Sequence, residues 1–589
     1  MCKIPAAGMV DMEARVRLAG RFLDATADPA TTQPYFHVFD AAPPELFHDW
    51  PDFGDLTSRY WEAGLMAREI TGEAPAAVAR WRDLALGYLA DDGLSYRAAT
   101  PYSTSVAEMF DQSRTLYALC SSFMHAPDER VAGALRRMVE ALDALCVRRE
   151  GYRFLPGCRY KHGEWESPID LDNAPASSYF IGVLLRPLLR VWSLLGCEQA
   201  LNLAVDLSRF LLEKAQIFDE NGRFEDHVHS RLSAAAGLYV CGRAAGRDAW
   251  REIAEKAWAY ARDLSGPCGF TPEVLNNPGH PIFRSETCAV MDYLELTMLM
   301  ARDGREALWG IAEKIVRNHL IESQITCTDW ARSGEPRRRD EYSINDHAGE
   351  RMLGGFAGWS ALDHLLAVTP TLHDGWLQAA APPELYLRKR RLFQNCCGPA
   401  GLRALYLAWS QASIADDAAL DVKLLLNRSL PEADVVVEAG DRDQSLCVRI
   451  TARQALPLVR VRYPEWARAR RPEAMADGRP VELETHGDRL CHRGLQAGSE
   501  LRILLPLGRS HWDYEVRHLG GARDVYKITM LGDSAGEVVR VYQDDDASDG
   551  NELLRACPLY QRREADLYAP VPVPTRRTRA KIDWFPKVG

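Results

Sequence analysis

The period of the hydrophobic pattern changes once along the 589-residue chain, near residue 418. From about residue 55 to about 412, apolar side chains recur at i, i+3, i+4 and i+7, which is typical of helices with one buried face. Beyond about residue 418 the period is two and β-branched residues are frequent, as in half-buried strands. The sequence therefore predicts an α+β multidomain protein whose helical part comes first.

The helical part reads as about twelve helices, often in close pairs, which favours a closed (α/α)6 toroid. An open helical solenoid is the alternative, although the sequence lacks the fixed-period repeat motif of solenoids. The predicted helices lie near residues 56–72, 77–90, 106–124, 131–149, 177–195, 198–215, 229–245, 247–264, 286–303, 305–322, 350–368 and 399–413.

The strand-like part resembles a β-sandwich of jelly-roll type, with the Asp-Gly pair at 477–478 as a turn between strands. We expect a catalytic toroid over residues 1–415 and a sandwich over 416–510. A third, β-containing region with a Pro-rich tail covers 511–589, and we expect the tail to fold back onto the toroid.

Composition excludes several classes of protein. The chain is 47% hydrophobic and 26% charged with a net charge of −11, and no basic patch indicates a nucleic-acid partner. No run of 18 apolar residues indicates a membrane helix, and the first residues lack the apolar core of a signal peptide. We expect a cytoplasmic protein, with a homodimer left open. Most of its fourteen cysteines read as buried free thiols.

A Ser-Glu-Thr-Cys stretch opens one of the predicted helices. Ser285 is a candidate N-cap. Glu286 and Cys288 are two residues apart, so on a regular helix they would point about 200° apart. They converge on one ion only if the helix begins at that point.

A vicinal cysteine pair opens another predicted helix. Pro399 suits a first helical turn, which places Cys396 and Cys397 at a helix N-terminus, where the dipole favours a thiolate. A third stretch, residues 269–281, is an irregular loop whose only carboxylate is Glu273.

Glu286, Cys288, Cys396 and Cys397 offer one oxygen and three sulfur ligands, a set that zinc accepts in tetrahedral geometry. The alternative is that two unrelated buried thiols and a vicinal pair have no common role. Sequence spacing leaves both readings open, because 108 residues separate Cys288 from Cys396.

These stretches resemble glycoside hydrolase family 127, the β-L-arabinofuranosidase family. Its Glu-Thr-Cys motif is similar to residues 286–288, and its Cys-Cys-Pro-Pro-Asn motif is similar to Cys-Cys-Gly-Pro-Ala at 396–400. Its Glu-Arg-x-Leu-Tyr-Asn motif resembles residues 313–318, and its Gly-His-Ala-Val-Arg-Ala-Leu-Tyr helix resembles the segment that begins at His229. A Tyr-Pro-x-Trp strand matches Tyr-Pro-Glu-Trp, and the matches keep their order over residues 55–510.

The resemblance implies zinc bound by Glu286, Cys288, Cys396 and Cys397, with Cys396 as the nucleophile. It implies a general acid/base at Glu273 and sugar contacts from His229 and Glu313. Two departures bear on the sugar. Pro-Pro-Asn has become Gly-Pro-Ala, and residues 170–185 lack the family's early sugar-binding histidine.

Two further groups have alternative readings. Asp346 and His347 either contact substrate, the role assigned here to His347, or cap the following helix. Asp52, Asp55 and Arg59 either line the entrance of a pocket or serve as ordinary helix caps.

The predicted function is retaining exo-hydrolysis of an oligosaccharide or glycoside, releasing β-L-arabinofuranose or a related sugar. A polysaccharide lyase or unsaturated-uronyl hydrolase shares the toroid-plus-sandwich architecture, and that analogy concerns the fold alone. A non-catalytic carbohydrate-binding protein with a structural zinc is the third alternative. An open zinc site would favour the enzyme, and a closed four-ligand site would favour the binding protein.

Overall fold

A computed structural model describes residues 5–39, 44–48, 53–97, 105–161, 163–170, 174, 178–277, 283–331, 343–363, 392–440, 444–544 and 559–585. The helices within those ranges are α1 Met12–Ala25, α2 Asp55–Thr71, α3 Val78–Gly87, α4 Met109–His125, α5 Glu129–Leu145, α6 Tyr179–Gly182, α7 Leu185–Leu195, α8 Glu198–Arg209, α9 Val228–Ala244, α10 Asp248–Ser265, α11 Thr287–Arg302, α12 Leu308–Ile315, α13 Ala348–Arg351 and α14 Cys397–Ala412. Single π-helical turns, Phe210–Lys214 and Val316–Leu320, extend α8 and α12.

Six inner helices form a closed ring in the order α2, α4, α7, α9, α11, α14 and back to α2. Helices α9, α11 and α14 are buried on nearly every side, as expected of helices without a polar face. The outer helices α1, α3, α5, α8, α10 and α12 pack outside them, each against its inner neighbour. Their buried residues lie on one face, as on α5 and α10. The predicted (α/α)6 toroid is confirmed.

The twelfth helix of the ring is not the one that the sequence predicted. Helix α1 occupies the place expected for residues 350–368. Of these, residues 350–363 lie within the described part of the chain and include only the end of the short α13, and residues 364–368 lie outside it. Gly354 has φ +95°, and a Cβ there would lie 2.2 Å from the Leu18 carbonyl oxygen. The main chain at Gly354 and Gly355 instead hydrogen-bonds with Ile325. The apolar residues whose spacing suggested a helix therefore lie in a turn and a β-bridge.

Short strands interrupt the helical part where the sequence predicted only helices and loops. Two hairpins, β4 with β5 and β6 with β7, fill the connection between α5 and α6. These strands are β1 His37–Phe39, β2 Glu45–Phe47, β3 Ala107–Glu108, β4 Val147–Arg149, β5 Tyr152–Phe154, β6 Gly157–Lys161, β7 Glu164–Pro168, β8 Asp226–His227, β9 Val274–Leu275, β10 Ser343–Ile344 and β11 Leu392–Gln394.

The sandwich follows α14 directly. Its strands are β12 Ser413–Ala415, β13 Leu420–Val422, β14 Arg428–Ser429, β15 Ala433–Ala439, β16 Ser445–Ala452, β17 Leu456–Arg462, β18 Glu473–Ala476, β19 Arg479–Pro480, β20 Glu484–His486, β21 Arg489–Leu495 and β22 Glu500–Pro506. They form two sheets, of strand orders β12-β13-β17-β21-β20 and β14-β15-β16-β22-β18-β19, with a shared apolar core between them. Asp477 and Gly478 both have positive φ and form the predicted turn between β18 and β19.

A third sheet, of β23 Arg509–Arg517, β24 Arg523–Leu531 and β25 Ser534–Gln543, packs onto the toroid. The chain then returns to the toroid, as expected for the tail. Trp584 is buried among the inner helices, where its main-chain carbonyl accepts a hydrogen bond from Arg186. None of the helices in the described ranges combines the length and the apolar character needed to cross a bilayer.

Candidate active site

The N-terminal ends of several inner helices meet at one end of the ring. They bring together the four residues of the predicted ligand set, which lie on two neighbouring helices. One ligand atom from each of Glu286, Cys288, Cys396 and Cys397 lies within 4.8 Å of the others. All four residues are buried.

Glu286 and Cys288 converge because the helix starts between them. Glu286 is the N-cap of α11, with extended backbone angles of φ −118° and ψ 130°, and the helix begins at Thr287. The capping role expected of Ser285 is wrong. The Ser285 hydroxyl instead accepts a hydrogen bond from the Thr271 N–H, and its main chain pairs with Ser360.

The cysteine pair stands at the start of α14, as Pro399 predicted, with Cys396 as the N-cap. Asn395 anchors this turn, since its N–H donates to the Phe36 carbonyl and its side-chain amide donates to the Tyr35 carbonyl. A Cβ at Gly398 would lie 2.5 Å from Phe22 Cε1. The glycine that departs from the family motif therefore allows Phe22 to pack against this turn.

The donor atoms fit a tetrahedral zinc ion. Cys288 Sγ lies 3.7 Å from Cys397 Sγ, against about 3.8 Å expected between two thiolates on one zinc. Cys397 Sγ lies 4.0 Å from Glu286 Oε1. Glu286 Oε1 is the carboxylate oxygen on the side of the cysteines, whereas Oε2 lies 3.5 Å from His227 Nε2. A buried carboxylate beside three thiols is the donor chemistry of a metal site.

Cys396 differs from the other two cysteines of the cluster. It retains 8% exposure, whereas Cys288 and Cys397 have none. Hydrogen bonds from Cys288 and Cys397 lower the pKa of the Cys396 thiol to about 6. Burial raises the pKa of Cys397 well above its usual value. Cys396 is therefore the thiol of the cluster that ionises most readily and remains reachable.

Glu273 lies beside the cluster. Its N–H donates to the Arg284 carbonyl, and its carbonyl accepts from the Val228 N–H, so the loop is tied to both flanking segments. Burial, followed by the charge of Glu286, raises the pKa of Glu273 to about 8. Donor atoms of Glu273, Glu286 and His227 lie within 4.8 Å of one another. A carboxyl group that is protonated at neutral pH therefore lies next to a ligand of the proposed metal.

His229 begins α9 and belongs to a polar wall next to the cluster. Arg114 Nη2 donates to His229 Nε2 over 2.8 Å, so the imidazole is neutral and its Nδ1–H donates to Asp292. Burial lowers the pKa of His229 to about 3. Arg114 Nε also lies 3.2 Å from Asp55 Oδ1.

Arg59 connects this wall to the cysteines. Its Nε donates to Asp55 over 2.7 Å, and its Nη1 donates to Cys288 Sγ over 3.7 Å. Its guanidinium also interacts electrostatically with Cys396. Asp55 and Arg59 therefore face the cluster instead of merely capping α2, whereas Asp52 lies outside the described residues.

Two predicted substrate contacts lie elsewhere. Glu313 is 1% exposed, and its carboxylate accepts hydrogen bonds from Arg317, Arg462 and the Leu425 N–H. It ties the toroid to the sandwich, so the role inferred from the resemblance is corrected. His347 is 71% exposed at its side chain and is the N-cap residue of α13, so it does not join the cluster.

Sequence reasoning gave no site role to His227, Arg114 or Asp292. His227 had a signal, because it stands two residues before His229 in Asp-His-Val-His. Arg114 and Asp292 are buried charged residues inside largely apolar helices, and nothing in the local sequence marks them as site residues. Only the closed ring brings them to His229.

Comparisons with known proteins agree with this fold. A GH127 β-L-arabinofuranosidase from Geobacillus stearothermophilus T6 superposes with a TM-score of 0.52 at 12% identity, covering 89% of this chain and 80% of that one. A GH127 β-arabinofuranosidase superposes with a TM-score of 0.55 at 11% identity, covering 88% and 81%. A further solved chain described as a glycoside hydrolase gives 0.53 at 12% identity, covering 88% and 80%. No protein-family model and no curated protein matches the sequence. At these identities the likeness concerns the fold.

Proposed function

We propose that this chain is a retaining, exo-acting glycoside hydrolase in which Cys396 is the nucleophile and Glu273 is the acid/base. The observation that carries the proposal is the buried Glu286–Cys288–Cys396–Cys397 cluster with Glu273 beside it. The fold of two solved GH127 arabinofuranosidases supports it.

Glu286, Cys288, Cys396 and Cys397 would hold a zinc ion. When bound, zinc keeps coordinating thiols deprotonated at neutral pH and makes sulfur a better leaving group. The remaining chemistry belongs to side chains of this protein. Arg59 contributes a positive charge beside Cys288 and Cys396, which also favours thiolate over thiol.

In the first step the Cys396 thiolate attacks the anomeric carbon and forms a carbon–sulfur bond. The glycosidic carbon–oxygen bond breaks, and Glu273 gives its proton to the leaving oxygen. The raised pKa of Glu273, about 8, keeps that proton available at neutral pH. The product of this step is a thioglycosyl-enzyme.

In the second step the Glu273 carboxylate removes a proton from water. The water oxygen attacks the same anomeric carbon from the face that the leaving group vacated. The carbon–sulfur bond breaks and the Cys396 thiolate is restored. Two displacements at one carbon retain the anomeric configuration.

For the sugar we propose L-arabinofuranose first, from the resemblance and the matching fold. A uronic-type sugar is the second candidate. One observation favours it, namely that Arg59 and Arg114 converge on a single carboxylate, Asp55, near the cluster. A sugar carboxylate could accept hydrogen bonds from these two guanidinium groups.

The exposure of Cys396 argues against a purely structural zinc. All four ligands are buried, but the Cys396 residue retains 8% exposure while Cys288 and Cys397 have none, so the cluster is more open at Cys396 than at the other two cysteines. A catalytic zinc site keeps such an open side, whereas a structural site is closed. A binding protein would also have no need of a protonated glutamate beside the ligands.

The test combines a panel of aryl glycosides with covalent labelling. We expect hydrolysis of an α- or β-linked pentoside or uronide with retention of configuration. A cyclophellitol-type epoxide of the matching sugar should label Cys396, as located by peptide mass spectrometry. Labelling of a carboxylate, with activity retained in Cys396→Ala, would overturn the cysteine mechanism.

A further inference from the structure

The two carboxylate oxygens of Glu286 have different surroundings. Oε1 lies 4.0 Å from Cys397 Sγ, on the side of the cysteines. Oε2 is buried and lies 3.5 Å from His227 Nε2, within ion-pair distance. Oε1 therefore faces the cysteines, and Oε2 faces His227.

His227 is oriented as a ligand. It is the N-cap residue of α9, and its Nδ1 lies 2.8 Å from the Ser230 hydroxyl. Its Nε2 faces Glu286 Oε2, which is 3.5 Å away. A bound cation would require the tautomer in which Nδ1–H donates to Ser230, the arrangement that fixes the second nitrogen of metal-binding histidines. The side chain is 28% exposed, so a cation can reach it.

Glu273 completes a second group of donors. One atom from each of His227, Glu273 and Glu286 lies within 4.8 Å of the other two. The group offers one nitrogen and two oxygens, and none of its members is a thiol. Zinc and its neighbours among the divalent transition metals accept such a set, with the remaining positions filled by water.

We propose that His227, Glu273 and Glu286 Oε2 form a second, weaker divalent-metal site that inhibits the enzyme when it is filled. The inference rests on the proposed function, because it assigns Glu273 as the acid/base. A cation bound to the Glu273 carboxylate would block its transfer of a proton to the leaving oxygen. Glu286 would belong to both groups of donors.

The site should be weaker than the cysteine site for two reasons. It lacks thiolates, which bind zinc more strongly than a neutral imidazole and shared carboxylates do. It also has only three protein donors, one of them shared. We therefore expect occupation only when zinc exceeds one equivalent.

The experiment measures metal binding to the full chain by equilibrium dialysis and elemental analysis, using zinc. His227→Gln keeps an amide that can hydrogen-bond to Glu286 but is a poor zinc ligand. Glu273→Gln removes one donor without changing its shape. His486→Gln is the matched control, because His486 is an exposed sandwich residue 3.0 Å from Glu484.

We expect wild type to bind one zinc tightly and a second more weakly. The affinity for the second zinc should fall at least tenfold in both His227→Gln and Glu273→Gln and remain unchanged in His486→Gln. One zinc alone in wild type would overturn the second site. So would a second zinc that persists in His227→Gln or disappears in His486→Gln. Circular dichroism verifies that each variant is folded.

Cobalt separates failure of this inference from failure of the proposed function. The first cobalt should show the near-ultraviolet charge-transfer absorption of thiolate ligands, and the second should add none. Absence of that absorption would overturn the cysteine site. The second site would still be tested by whether the weaker metal binding depends on His227 and Glu273. With an active aryl glycoside, excess zinc should lower kcat/KM at least fivefold in wild type and His486→Gln. Unchanged kcat/KM in excess zinc would contradict inhibition.

Discussion

Replacing Trp584 with alanine should destabilise the toroid, although the residue lies in the C-terminal tail. The indole is 1% exposed and packs against Tyr117, with ring centroids 4.5 Å apart. The Arg403 guanidinium lies 4.7 Å from the indole centroid, and Nε1 donates to the Ser121 hydroxyl over 3.2 Å. These contacts reach inner helices α4 and α14, so the tail is part of the ring's core.

The expected cost is about 4 kcal/mol of unfolding free energy, from the usual range for a buried tryptophan cut to alanine. Ser121 keeps a partner, because its hydroxyl also donates to Glu62 over 2.7 Å. Arg186 keeps its contact with the main-chain carbonyl at position 584. The loss is therefore mainly packing and cation–π contact, with no orphaned polar group to add to it.

Urea unfolding followed by circular dichroism measures this cost, with Trp512→Ala as the control. Trp512 is 47% exposed on β23, so its replacement should change stability by less than about 0.5 kcal/mol. Zinc content should be the same in both variants. Trp584 contacts α4 at Ser121, which lies seven residues, or about 10 Å, along the helix from Arg114 in the wall beside the cluster. A cost below about 1 kcal/mol in Trp584→Ala would refute the anchoring of the tail.

The remaining predictions concern the site and one buried histidine. Cys396→Ala should fold but lose at least about a thousandfold in kcat, whereas Cys397→Ala should lose bound zinc as well, as measured by turnover and elemental analysis. Glu273→Gln should be slow on poor leaving groups and partly recover on dinitrophenyl glycosides; equal losses on both would contradict an acid role. Burial lowers the pKa of His319 to about 4, so the folded protein excludes a proton that the unfolded chain binds below about pH 6.5. Stability is thus lost as pH falls from about 6.5 towards 4. Between pH 7.5 and pH 5, the unfolding free energy measured in urea should fall by about 2 kcal/mol more in wild type than in His319→Leu. Equal losses in the two proteins would contradict this.

The sequence predicted most of the ring because helix burial has a strong local signature. Residues 55–71 and 397–412 were found to within a few residues, and so was the change to strands after Ala412. It failed over residues 350–363, the described part of the helix predicted at 350–368, where apolar spacing suits a helix but Gly354 adopts a left-handed conformation that the fold requires. It overlooked α1, whose N-cap Asp11 accepts a hydrogen bond from the Ala14 N–H.

The four clustered residues were named together from the resemblance, and the positions of the helix starts were consistent with it. Pro399 marked the start of α14, and the geometry of Glu286 and Cys288 required a helix start between them. The surrounding wall could not be predicted in the same way. Arg59, Arg114 and Asp292 lie on three helices and meet only after the ring closes. Glu313 shows the opposite error. Its local sequence matches the family motif, but its carboxylate forms an ion pair with Arg462.

Charge balance explains why that wall belongs next to the cysteines. Three thiolates and one carboxylate around a divalent cation carry a net charge of about −2, which is costly to bury uncompensated. The N-termini of α11 and α14 both point at the cluster and supply partial positive charge. Arg59 adds a full charge beside Cys288 and is itself held by Asp55. The same positive surroundings favour thiolate over thiol. The groups that lower the cost of burying the cluster would therefore also favour the nucleophilic form proposed for Cys396.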